Sequence, residues 1–165
     1  RSSVVALYAD DSKVYRQVNS RNDCELLQDD INSLYSWSNT WGMCFNSSKC
    51  KTLTLSRKSN PIKFQYKMNS TNLESVKSIN DLGVTIQGNM QFNEHVDNIV
   101  CKANKMLWLV KRTLGFSAPF HAKLAAYISL VRSNLEYATV VWSTNTKRNL
   151  RILDRKSTRL NSSHT

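Results

Sequence analysis

Glycine and proline are scarce, with 4 and 2 residues in a chain of 165. A turn-rich β-sandwich or a low-complexity linker carries more of both, so neither is expected. No apolar run approaches the roughly 18 residues of a membrane span. The opening RSSVVALYADD is not a signal peptide, because its short apolar run ends in two acids. It does not begin with Met, and the expectation is an internal piece of a longer chain. No two of Cys24, Cys44, Cys50 and Cys101 form a CxxC, and His95, His121 and His164 are isolated. Zinc is therefore not expected, and reduced, mostly buried thiols in an intracellular protein are.

Hydrophobic residues make up 41% of the chain, which excludes intrinsic disorder. The length suits one domain or two small subdomains with a real core. Lys and Arg number 23 against 12 Asp and Glu, a formal net charge of +11. That balance suits a polyanion partner such as nucleic acid, though an inert basic surface has the same composition. The excess is uneven: residues 146–165 carry 6 basic residues and 1 acid, nearly half of it.

Along the chain, Val4–Tyr8 and the alternating Val14, Arg16 and Val18 flank Ala9-Asp10-Asp11-Ser12, which reads as a β-hairpin with two acids at its tip. Residues 23–41 read as an amphipathic helix with Leu27, Ile31, Leu34, Ser38 and Trp41 on one face, Asn22 as N-cap and Gly42 as stop. Cys50–Ser56, Ile62–Lys67 and Ser78–Ile86 are strand candidates. After Asn89 the period changes. Val96, Val100, Ala103, Leu107, Val110 and Leu114 describe a helical seam, and Lys102, Lys105 and Arg112 share another face. Gly115 ends that helix. Ser117 and Pro119 open the next, which carries Leu124, Ile128 and Val131 and breaks near Ser133. A last helix spans about 134–142. The expected architecture is α+β: antiparallel hairpins with one helix over 1–90, helices over 91–153, and a separate tail over 154–165. Trp37, Trp41, Trp108 and Trp142 fall at helical spacing near apolar seams and are expected in the core.

Asp10 and Asp11 are the candidate metal-binding pair. Mg²⁺ takes carboxylate oxygens together with substrate phosphates, and two such ions can activate a hydroxyl and stabilise leaving pyrophosphate in nucleotidyl transfer. A bare Asp-Asp-Ser also makes an ordinary solvated turn. The surrounding segments decide more. LYADDSKVYR resembles motif C of reverse transcriptases, and WSNTWGMCFNSSKCKTL resembles the motif D that follows it. SINDLGVTI is similar to the Leu-Gly hairpin that supports the primer end in that palm. FNEHVDNIVCKANKMLWLVKRTLGFSAP and KLAAYISLVRSNLEYATVVWS resemble the thumb helices of non-LTR, LINE-like retrotransposon reverse transcriptases. The order holds from Val4 to about Leu153.

This resemblance implies a partial reverse-transcriptase palm followed by a helical thumb, from an RNA-directed DNA polymerase. It implies Mg²⁺ as cofactor, an RNA template, a DNA primer and deoxynucleoside triphosphates as partners, no membrane, and an intracellular ribonucleoprotein setting. It makes Asp10 the main metal ligand and Asp11 its acidic neighbour, with Tyr8 and Ala9 shaping the turn near the primer terminus. Lys49 matches the motif D lysine, with Lys51 a close competitor. Leu82 and Gly83 match the primer-supporting turn, where glycine permits close approach of a nucleic-acid backbone. Lys102, Lys105 and Arg112 would track phosphates, although each also suits the solvated face of an amphipathic helix.

The same resemblance identifies what precedes motif C in the family: a further metal-binding Asp in motif A, and the nucleotide-binding motif B. Without them the 165-residue chain is expected to be inactive alone. The tail departs from the family. DRKSTRLNSSH matches the conceptual translation of a common sequencing-library adapter, so residues 154–165 are expected to be a disordered or weakly helical, functionless appendage, and Arg1-Ser2 a remnant of the opposite adapter. Discounting the tail and Arg1 leaves a net charge nearer +8, still basic. The alternatives are a non-catalytic basic nucleic-acid-binding module and a degenerate element remnant.

Overall fold

The computed structural model describes residues 3–143 and 147–157. The chain is mixed α+β and forms two compact units that divide between Lys77 and Ser78. The expected 90/91 boundary falls inside the second unit, because the 78–87 hairpin packs with the helices that follow it.

The first unit opens with the antiparallel hairpin of β1 (Val4–Tyr8) and β2 (Asp11–Tyr15). Its register runs from Val4 opposite Tyr15 to Tyr8 opposite Asp11, which leaves a two-residue loop, Ala9-Asp10. Every β1 side chain is exposed. Helix α1 (Arg21–Thr40) starts one turn-fraction earlier than the spacing suggests, because Ser20, not Asn22, is the N-cap. The Ser20 hydroxyl accepts from the Asp23 N–H, and the Asp23 carboxylate accepts from the Ser20 N–H at 2.9 Å and the Asn19 N–H at 3.0 Å. This reciprocal box satisfies donors that the first helical turn cannot pair internally. The Asn19 and Ser20 donors also hold the Asp23 carboxyl below its ordinary range.

Helix α1 buries Cys24, Ile31 and Ser38 and leaves Trp41 exposed, so the apolar face ends one turn before the helix does. Ile31 joins Met68 and Leu73 in a small core flanked by Leu27, Tyr35, Phe45, Cys50 and Tyr66. The strands here are shorter than the alternation implies. Cys50–Ser56 reduces to β3 (Lys51–Leu53), and Ile62–Lys67 contributes only the start of β4 (Lys67–Met68). Strand β4 pairs with β5 (Thr71–Asn72), whereas β3 pairs in parallel with β6 (Glu74–Val76), so the strand pairs are not all antiparallel hairpins. The Gln28 side chain explains part of this. Its amide accepts from the Lys67 N–H and donates to the Lys67 carbonyl, both at 2.8 Å, doing for that backbone what a neighbouring strand would.

The second unit begins with β7 (Ser78–Asp81) and β8 (Val84–Gln87), a hairpin closed by Leu82-Gly83. Helix α2 (Asn93–Leu114) follows, and the Gln87 side chain accepts from its Glu94 N–H. Val96, Val100, Ala103 and Val110 of the expected seam are buried, joined by His95 and Ile99, and Gly115 ends the helix at φ +61°. Pro119 is the N-cap of α3 (Phe120–Ala126), so Ser117 and Pro119 both precede the helix.

The helix does not break near Ser133. It passes through a π-helical stretch, Tyr127–Arg132, into α4 (Ser133–Glu136). Side-chain donors serve carbonyls along this wide turn: Ser129 to Ala125, Ser133 to Ser129, and Asn134 to Leu130. The chain then turns at Tyr137 and the left-handed Ala138 (φ +53°) into α5 (Thr139–Trp142). Helix α6 (Lys147–Ser157) is tied to the start of α2 by Arg148, whose guanidinium donates to both Asp97 oxygens, and by Asn149, which donates to Asn93 Oδ1. The core joins Val84 of β8, four α2 residues (Val96, Ile99, Val100 and Ala103), Tyr127, Val131, Leu135 and Trp142. The expected tail boundary does not interrupt α6, which continues through residues 154–157; the rest of the tail, and Arg1-Ser2, lie outside the described residues.

Candidate metal centre and nucleic-acid interface

The residues singled out by sequence fall into two sets, one in each unit. In the first unit, Tyr8, Ala9, Asp10 and Asp11 cross the β1–β2 turn. Asp10 occupies the loop, whereas Asp11 is the first residue of β2 and stands opposite Tyr8. Only one acid is therefore at the tip itself. Ala9 takes the left-handed conformation (φ +51°), which a small side chain adopts with less strain than a branched one. All four residues are exposed, Tyr8 to 65%. Two carboxylates on successive residues at an exposed turn suit a share of the oxygen shell of a hard cation, the remainder coming from water and phosphate. Among the described residues no group of three or more Asp, Glu, His or Cys side chains converges as a metal site. These acids fit part of one ion's shell and cannot complete a two-ion centre.

Lys49 and Lys51 separate clearly. Lys51 lies in β3, in register with Glu74 of β6, and its Nζ is 3.1 Å from Glu74 Oε2. Lys49 ends the tight turn that begins at Asn46, where its N–H donates to the Asn46 carbonyl and its side chain is exposed. Asn46 Oδ1 stabilises that turn by accepting from the Ser48 N–H and hydroxyl.

In the second unit, Leu82 and Gly83 both have positive φ, +47° and +83°, and both are exposed. Lys102, Lys105 and Arg112 are exposed on α2. Trp108, expected in the core, is 69% exposed. It follows Lys105 by three residues and precedes Arg112 by four, so the three share one helical face. Trp37 and Trp41 are also exposed, and of the four tryptophans only Trp142 is buried. Helical spacing failed here because the apolar stripe of α2 is narrow: its buried residues already fill the side facing the other helices. The thiols divide similarly. All four are free, with Cys24 buried, Cys50 half-buried, and Cys44 and Cys101 exposed, so they are not mostly buried.

Sequence reading missed Tyr137 and His95. The Tyr137 hydroxyl donates to the Leu82 carbonyl at 2.9 Å, across 55 residues, and no local pattern signals such a contact. His95 is 1% exposed; its Nδ1 accepts from the Thr85 N–H at 3.2 Å, and its ring packs against Trp142 with centroids 5.2 Å apart. Its Nε2 is buried without a hydrogen-bond partner, and burial pushes the imidazole pKa below its usual value. An apolar face with one histidine was visible in the sequence, but its depth was not.

No helix among the described residues is long and apolar enough to cross a membrane. Comparison with protein-family models, curated proteins and solved structures finds no match to the chain.

Proposed function

We propose that the chain is part of an RNA-directed DNA polymerase, a reverse transcriptase of the non-LTR retrotransposon kind, comprising the palm from its metal-binding hairpin onward and a helical thumb. The observation that carries this reading is the hairpin in which Tyr8-Ala9-Asp10-Asp11 spans a two-residue turn, with the following segments resembling that family in order. The exposed Lys49, left available while Lys51 pairs with Glu74, and the exposed Leu82-Gly83 turn support it.

In the intact polymerase Mg²⁺ would lower the pKa of a primer 3′-hydroxyl and neutralise the triphosphate. Asp10 and Asp11 would hold part of its shell. Lys49 would offer a proton or a positive charge to the departing pyrophosphate, and Lys102, Lys105 and Arg112 would follow the phosphate backbone of an RNA–DNA hybrid. Because two adjacent acids complete no two-ion site, the 165 residues alone do not polymerise.

Primer extension with Mg²⁺ on an RNA template tests both statements. The chain alone gives no product. Joined to the motif A and motif B palm segment of a non-LTR reverse transcriptase, it extends the primer, and Asp10→Ala abolishes extension. Extension that survives Asp10→Ala defeats the assignment.

A non-catalytic nucleic-acid-binding module is the second reading. The Lys105–Trp108–Arg112 face favours it, since an exposed indole between two cations can stack on a base while they contact phosphates. Filter binding across a salt series separates it from an inert basic surface. Removing Lys105 or Arg112 should reduce the salt slope by about 1 each.

A further inference from the structure

The β7–β8 turn is held by more than its own backbone. A two-residue turn with two positive φ values favours Asn or Gly at its first position, and here that position is Leu82. Tyr137, at the corner between α4 and α5, supplies what the turn residues do not. Its hydroxyl donates to the Leu82 carbonyl at 2.9 Å. Its ring lies so close to Gly83 that a Cβ added there would stand 3.2 Å from Tyr137 Cε1. A side chain there would press on the ring, and the φ of +83° would strain any residue with a Cβ, so glycine suits the position on both counts.

Tyr137 is fixed in its own place. The Trp142 indole N–H donates to the Tyr137 carbonyl at 2.6 Å, and Trp142 is buried in the core. The Trp142 ring packs on His95, and His95 accepts from Thr85 in the second strand of the same hairpin. One connected set of side chains thus grips the hairpin at its tip, through Tyr137, and along β8, through His95. Meanwhile the outer surfaces of Leu82 and Gly83 stay exposed. A turn that is locked from behind and open in front is arranged to present backbone to a ligand at a set position.

We infer that Tyr137 is a positioning residue: it holds the Leu82-Gly83 turn in the orientation that contacts the primer end of a recessed duplex. The inference rests on the polymerase reading above. Lys102, Lys105 and Arg112 contact phosphates without regard to duplex ends, so within the second unit the turn supplies the preference for a recessed end.

The test uses the full 165-residue chain and two probes, an RNA–DNA hybrid with a recessed DNA 3′-end and a blunt hybrid with the same number of base pairs. The parent chain should bind the recessed hybrid about fivefold more tightly, the scale of one net hydrogen bond. Tyr137→Phe removes the hydroxyl and keeps the ring. It should bring that ratio to about one, leave the blunt hybrid's affinity within about twofold, and speed amide exchange at Gly83 and Val84 about tenfold. Gly83→Ala is the second variant, since its methyl meets the Tyr137 ring, and it should lose the same preference.

A parent that prefers the recessed hybrid while both variants keep that preference overturns the role of Tyr137 and leaves the polymerase reading standing. Equal loss of affinity for both hybrids in the variants overturns it as well, since that is the mark of a purely structural contact. A parent that binds both hybrids alike overturns the turn's role in end recognition. A parent that binds neither overturns the polymerase reading, and the role of Tyr137 falls with it.

Discussion

The two units solve the problem of burial differently. Residues 78 onward gather nine fully buried side chains into one core, drawn from the β8 strand and four helical segments and closed by Trp142. Residues before 78 gather three, Ile31, Met68 and Leu73, while the β1–β2 hairpin exposes Val4, Val5, Leu7, Tyr8 and Tyr15. Apolar burial is the main source of folding free energy, so the second unit carries most of the stability. The acids lie in the weakly buried unit and the Leu82-Gly83 turn in the strongly buried one. The hairpin that carries Asp10 is tied to α1 by Arg16, whose guanidinium lies 3.4 Å from Asp30.

Substitutions can break this contrast. The largest effect belongs to Trp142→Ala, which removes a buried ring and the donor to Tyr137. Denaturant unfolding should show a loss of about 3–5 kcal/mol in the transition that reports the second unit. Comparable loss in the first unit's transition would contradict the separation. Met68→Ala, the matching truncation in the smaller core, should cost about 2 kcal/mol, near the low end for a buried methionine, because a thin core relaxes more easily around the gap.

Between pH 8 and 5, above the range in which Asp23 titrates, acid should act on the second unit selectively. The His95 pKa is lowered in the fold by burial, so between the folded and unfolded values only the unfolded chain binds the proton. Stability is complete above the ordinary histidine value of 6.5 and falls as pH drops below it. Protonation would also turn Nδ1 from acceptor to donor and break its bond from Thr85. Unfolding midpoints from pH 8 to 5 should decline for the parent and flatten for His95→Gln.

Ser20→Ala removes the α1 cap and should cost about 1 kcal/mol in the first unit. Smallest of all, Leu7→Thr on the exposed hairpin should change stability by less than about 0.5 kcal/mol, despite removing a large apolar side chain. A larger loss would mean that β1 is more buried than its exposure shows.

Which features could be read in advance follows from the range of the interactions. The β1–β2 hairpin and helices α1 and α2 come from local signals: alternation, a 3.6-residue seam and glycine stops. The strand ends at Cys50–Ser56 and Ile62–Lys67 did not follow alternation; at Lys67, Gln28 on a helix bonds the backbone N–H and carbonyl as a strand partner would. The continuous helix through Ser133 was hidden because a π-helical turn shifts the apolar period without any local mark. At the candidate site, Asp10 was legible as a turn residue, whereas Asp11 begins β2, and Leu82 and Gly83 interrupt the single strand that alternation suggested over Ser78–Ile86 and were expected in a turn only from the resemblance. That Lys51 pairs with Glu74 while Lys49 stays exposed was not legible, since it depends on the parallel β3–β6 pairing.

By itself, the sequence determined that the chain is basic, mixed α+β, and carries adjacent acids at a hairpin turn, because composition and period express preferences within one element. Only the tertiary structure decided that Trp108 is outside and Trp142 inside, that His95 is buried, and that Tyr137 reaches across 55 residues to the Leu82 carbonyl. Those outcomes depend on which faces meet once the elements pack, and a residue's own neighbours in the chain do not encode its partners in space.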